Sequence, residues 1–183
     1  MKALFKKYKP VLRFVFFFLG AYIVLTAIYM IYLELSAGGR YPPDPITHLV
    51  AVQSNNLINN LGYSANVLPS AYEPTMELYV NGKFLARIIE GCNAVSIIIL
   101  FISFVVAFSE SLKKTLLFIL AGVALIYAVN IVRIAALAVL LYKFPEQEEL
   151  LHSVVFPGLI YAMVFILWMI WIRMLNKKTT ENV

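Results

Sequence analysis

The sequence predicts an all-α polytopic membrane protein. It has about four transmembrane helices and a small extracytoplasmic segment between the first two. Three observations carry this prediction. Of 183 residues, 62% are apolar and 14% are charged, against about 25% charged in a typical soluble domain. The mean hydropathy is +0.83. Four stretches free of Asp, Glu, Lys and Arg, at 14–33, 91–109, 115–132 and 150–172, approach or exceed the roughly 20 residues a helix needs to cross a bilayer. These figures exclude a disordered chain, a collagen and an ordinary soluble globule. One cysteine excludes a disulfide framework and a multi-cysteine metal centre, and two histidines do not make a zinc site without carboxylates. No sequence sign of a cofactor or of a nucleotide-binding motif is present.

The spans read in order as 11–35, 91–109, 115–142 and 150–173, within a single membrane-embedded domain of residues 1–183. The first run follows a basic head of Lys2, Lys6, Lys7, Lys9 and Arg13. It is longer than the apolar core of a signal peptide, about 7–15 residues, so it reads as a retained helix. The third run continues apolar past Arg133 to residue 142. It reads as one helix projecting outward or as a helix broken near Asn130; two full spans would put the basic C-terminus outside. Basic residues before run one, at Lys113 and Lys114, and at Arg173, Lys177 and Lys178 share one side, while eight of the ten acids fall on the other. The positive-inside rule then places both termini in the cytoplasm. The net charge of +5 is thereby assigned to topology, not to nucleic acid.

The extracytoplasmic segment, 36–90, is too short for a well-cored domain of its own. Asp44-Pro45 reads as N-cap and first position of a helix. Ile46, Leu49, Val50, Gln53, Leu57 and Leu61 recur at helical spacing, with Gly62 as stop, and Asn55, Asn56, Asn59 and Asn60 lie on the other face. This predicts an amphipathic helix in the membrane interface. Asn81-Gly82 between apolar runs predicts a β-hairpin, because both turn residues need φ > 0. The hairpin leads straight into Cys92.

Cys92 opens the second run, Arg133 ends the charge-free part of the third, and His152 opens the fourth. Three helices therefore bring Cys, Arg and His to one depth, at the outer edge of the membrane. A cysteine attacks as thiolate, which a helix N-terminus or a nearby cation favours. An imidazole can pair with the thiolate or protonate a leaving amine. A guanidinium keeps its proton and suits oxyanion stabilisation. Asn130, one turn before Arg133, can orient it or the substrate. His48, on the loop helix, and Glu110, at the inner face, are poorer candidates. Each residue alone also has a bland reading: an inert buried thiol, a snorkelling arginine, an interfacial histidine or a helix–helix amide.

Glu90-Gly91-Cys92-Asn93-Ala94, Asn130-Ile131-Val132-Arg133-Ile134 and His152-Ser153-Val154-Val155-Phe156, in this order and topology, resemble the exosortase/archaeosortase family, most of all its compact exosortase F type. The resemblance covers about residues 87–168. It implies a cysteine protease/transpeptidase in the bacterial cytoplasmic membrane, with Cys92, Arg133 and His152 as catalytic residues and Asn130 and Asn93 as support. The implied partners are exported proteins whose C-terminal sorting signal is a short motif, a transmembrane helix and a basic tail, with a cell-surface acceptor taking the acyl group. Two departures stand out. The chain lacks the extra helices of larger members, and Cys92 is followed by Asn-Ala where Ser-Gly is common. Two other function classes compete. One is a non-catalytic membrane chaperone for exported proteins. The other is a transporter, which the scarcity of mid-membrane charge disfavours.

Overall fold

A computed structural model describes the backbone of residues 2–109 and 111–181, and the side chains of residues 8, 9, 11–109, 111–151 and 153–175. The elements in order are α1 (Lys2–Ser36), α2 (Pro45–Asn60), β1 (Ala65–Pro69), β2 (Met76–Val80), β3 (Lys83–Ile88), a 3₁₀ turn (Glu90–Cys92), α3 (Val95–Ala107), α4 (Leu112–Lys143), a single turn α5 (Glu148–Leu150), a π turn (Leu151–Val155) and α6 (Phe156–Glu181). The protein is mainly helical, with one small sheet.

Three helical stretches are long and apolar enough to cross a membrane: Val11–Ser36, Leu112–Lys143 and Pro145–Leu175. Their outward surfaces are largely apolar. On α1, Phe16 is 75% exposed and Ile23 63%, a surface that water would not tolerate at this extent. The helix predicted over 91–109 is shorter than expected. It begins at Val95 and ends at Ala107, 13 residues, or about 20 Å at 1.5 Å per residue. Residues 91–94 are small and uncharged and so extend the charge-free run, but Ala94 takes a left-handed conformation with φ 66°. The chain enters α3 only after that bend. By contrast, 115–142 lies within one unbroken helix, and Asn130 does not interrupt it.

α3 packs against α1 on one side and against α4 and α6 on the other. Aromatic rings tie this bundle together: Phe14 stacks on Phe108, Phe104 on Trp168 and Phe118 on Trp171, with centroids 4.5, 4.4 and 4.8 Å apart. Gly122 on α4 lets the fully buried Phe101 ring of α3 lie against its backbone, and a Cβ there would overlap that ring. Gly122→Ala is therefore expected to destabilise the bundle by about 1–3 kcal/mol, the usual cost of overpacking. A Cβ added at Gly20 on α1 would meet nothing within 4 Å, so Gly20→Ala is expected to be neutral or slightly stabilising. Thermal unfolding of the two variants in detergent checks the contrast.

The second core lies beyond the bundle, around the C-terminal part of α4. Ile134, Ala135 and Ala138 of α4 pack with Val50, Ala51 and Ile58 of α2 and with Met76, Leu78, Val80 and Ile88 of the sheet. Strands β2 and β3 form the expected hairpin, with Asn81 at φ 51° and Gly82 at φ 79° in the turn. A third strand, β1, pairs antiparallel with β2. It ends in Pro69 and takes the edge position where a missing N–H costs least.

The helix predicted after Asp44 is α2, capped by the Asp44 carboxylate with Pro45 at its first turn. Its buried face differs from the predicted one. Thr47, Val50, Ala51, Ser54 and Ile58 are buried, while Leu49 and Leu61 are 49% and 58% exposed. Small residues at 47, 51 and 54 let α2 approach its neighbours closely. Apolar periodicity alone does not distinguish that protein-facing stripe from a lipid-facing one.

Candidate active site

The approach to Cys92 is set by β3. Ile88 is buried in the second core, and from it the chain turns through the 3₁₀ segment Glu90–Cys92. The Cys92 amide donates to Ile89 O at 2.8 Å and the Asn93 amide to Glu90 O at 3.3 Å. Cys92 was expected at the N-terminus of a helix. It lies instead in the turn before α3, and the side chain that satisfies the first amide of α3 is Asn93, whose Oδ1 accepts from the Val95 amide at 2.9 Å. Two turn-forming residues, Gly91 and Asn93, flank the cysteine and explain why the helix starts late.

Cys92 is a free, half-buried thiol. It lines a cavity of about 240 Å³ together with Arg133, Arg87, Leu137, Phe156 and Pro157. Cys92 and Arg133 are near enough to interact electrostatically. The Arg133 Nε is buried without a hydrogen-bond partner among the described residues. A buried donor left open in this way costs about 1–3 kcal/mol, and it suits a group that meets its acceptor only when substrate is bound. Arg87, on the rim, is an ion-pair partner of Glu73, with Nη1 3.3 Å from Oε2.

Asn130 reaches from α4 to the cysteine turn. Its Nδ2 donates to the Cys92 carbonyl oxygen at 2.7 Å, and its side chain is buried. This bond ties α4 to the turn that carries the thiol. Asn93 is 1% exposed. Its Nδ2 donates to the Tyr29 hydroxyl at 2.8 Å and to Thr47 Oγ1 at 3.0 Å. The turn is thus held by α4 through one asparagine and by α1 and α2 through the other.

His152 lies in the π turn Leu151–Val155, directly before the cavity-lining residues Phe156 and Pro157. Its side chain, and Glu110 altogether, lie outside the described residues. Single π turns recur at functional sites, and here the turn accommodates Pro157, which has no amide to donate. His48 is elsewhere: its Nδ1 is 3.3 Å from Pro42 O and its ring is beside Tyr41. Among the described residues no group of three or more His, Cys, Asp or Glu is arranged to hold a metal ion.

The sequence reading missed the groups that hold Asn93, which are Thr47 and Tyr29, and behind them Asp44 and Tyr32. Asp44 was legible as a helix cap, and Thr47, three positions on, carries one of the amides that such a cap accepts from. The two tyrosines carry no signal that separates them from an ordinary aromatic belt at a membrane surface.

The family model for the transmembrane exosortases matches residues 6–171. No curated protein and no solved structure matches the chain.

Proposed function

The chain belongs to the transmembrane exosortase family, and from that premise we propose that it is a membrane-embedded cysteine transpeptidase acting on the C-terminal sorting signals of exported proteins. The observation that carries this reading is the cavity shared by the half-buried Cys92 thiol and Arg133, whose buried Nε has no partner among the described residues. A nucleophile and a fixed cation facing one small, mostly apolar space suit acyl transfer, the one to attack a carbonyl carbon and the other to hold the charge that develops on its oxygen.

In the proposed reaction the substrate's helix lies beside α4 and α6, and its scissile peptide enters the cavity. The Cys92 sulfur, its proton passed to His152, attacks the carbonyl carbon. Arg133 stabilises the negative charge that develops on the carbonyl oxygen. His152 gives a proton to the departing amine as the C–N bond breaks, which leaves a thioester on Cys92. An acceptor amine or water then attacks the thioester and gives its proton to His152, the C–S bond breaks and the thiolate is restored. In this reading both termini lie in the cytoplasm of a bacterium, and the cavity opens on the outer face of its cytoplasmic membrane. α3 is the fourth and shortest span, enclosed by α1, α4 and α6. The exosortase F likeness rests on the Glu-Gly-Cys-Asn junction.

The test is to trap the acyl-enzyme. Membranes that hold the protein and a reporter with a motif, a transmembrane helix and a basic tail are expected to yield a covalent reporter adduct at Cys92. Hydroxylamine, which cleaves thioesters, should release it. A reporter cleaved without any adduct or modification at Cys92 would overturn the proposal. An uncleaved reporter that still depends on the protein for export would favour the chaperone reading.

A further inference from the structure

The hydrogen bonds around Asn93 form a chain whose polarity is fixed at its far end by a carboxylate. Asp44 is 1% exposed. It accepts from the Ile46 and Thr47 amides and from the Tyr32 hydroxyl, each at 3.0 Å, and from the Thr47 hydroxyl. All four groups facing it are donors, so it works as an acceptor only. The Thr47 hydroxyl, 0% exposed, thereby spends its one proton on Asp44 and offers a lone pair to Asn93 Nδ2 at 3.0 Å. The second Nδ2 proton goes to Tyr29 at 2.8 Å. With both amide protons used, Asn93 Oδ1 must face the Val95 amide, as it does. The orientation of the residue next to Cys92 is thus dictated, bond by bond, from Asp44.

We infer that Asp44 and Thr47 are positioning residues for the nucleophile. Through Asn93 they set the pitch of the Cys92 turn, which Asn130 grips from the opposite side. The inference rests on the proposed role of Cys92 and adds to it that α1 and α2 belong to the catalytic apparatus. Catalysis feels such positioning strongly, because a misplacement of about 1 Å can cost about a hundredfold in rate.

Two nearly isosteric substitutions test this. Asp44→Asn keeps a good helix cap, since Asn and Asp cap about equally well. It nevertheless turns one acceptor into a donor aimed at Thr47, whose own proton then has no acceptor. Thr47→Val removes the hydroxyl at nearly constant volume, and Thr47→Ser restores it. With the membrane-bound full chain and the reporter described above, Thr47→Val and Asp44→Asn are expected to lower kcat by roughly tenfold to a hundredfold, the range of a positional fault. KM should stay within about twofold, and Thr47→Ser should recover most of kcat, the pattern of an interaction made in the transition state. Melting temperature is measured alongside. Wild-type kcat in folded Thr47→Val and Asp44→Asn would overturn the inference, and so would an equal loss in Thr47→Ser. If Cys92→Ala is inactive while these variants are not, only the positioning role fails. If Cys92→Ala is itself as active as wild type, the proposed function fails first.

Discussion

Cys92→Ala is expected to abolish reporter cleavage, by at least about a thousandfold, while leaving the fold intact. The activity loss follows from chemistry. In the proposed reaction the thioester carries the acyl group between donor and acceptor, and without sulfur no covalent intermediate forms. The stability expectation follows from packing. Cys92 is half-buried at the margin of the second core, so truncation to Ala removes one sulfur atom's contacts, about 1 kcal/mol or less. The turn keeps its shape because Asn130 and Asn93 hold it through the Cys92 carbonyl and the Asn93 side chain, not through the thiol. Uncleaved reporter on a blot, with an unchanged melting temperature, is the expected pair of results. Cleavage at the wild-type rate would remove the enzyme reading.

Arg133→Met is expected to separate activity from stability. In the proposed reaction the developing oxyanion loses its donor, and the loss of one such group lowers kcat by about 10²–10³. Stability should hold or rise, because the substitution removes a buried Nε with no partner among the described residues and puts a flexible apolar chain in its place. Arg133→Lys is expected to fall between the two in activity. It keeps the charge and loses the planar fork that can hold a carbonyl oxygen at a fixed angle. Single-turnover kinetics on the three proteins, with thermal melts, checks both halves. Wild-type kcat in Arg133→Met would exclude Arg133 from the chemistry.

The bundle was legible in the sequence because membrane spans are written in hydropathy, a signal that accumulates over roughly 20 residues. The Asp44-Pro45 cap and the Asn81-Gly82 turn were legible because few residue pairs satisfy those backbone angles. The true start of α3 was not, since Gly91 to Ala94 are small and uncharged and suit the end of a membrane helix as well as a turn. β1 carries too few alternating apolar residues to stand out, and its place comes from pairing with β2. The meeting of Cys92 and Arg133 could be reasoned from shared depth. The links made by Asn93, Thr47 and Asp44 could not, because they depend on where α2 folds back and on which of its faces turns inward.

α4 has one further consequence. Its 32 residues run without a break, about 48 Å of rod against a hydrocarbon layer about 30 Å thick. Arg133 stands about 32 Å from Leu112 along it, and the surplus length carries the sheet and α2. Such a helix is a ruler. In the proposed orientation one end is fixed by Lys113 and Lys114 near the cytoplasmic headgroups, and the graduation that matters is the pair Asn130 and Arg133. Under the proposed function, a substrate helix anchored by its own basic tail would be measured against the same scale. Cleavage height would then be a count of residues between tail and motif, and a signal would be recognised by its length as well as by its letters.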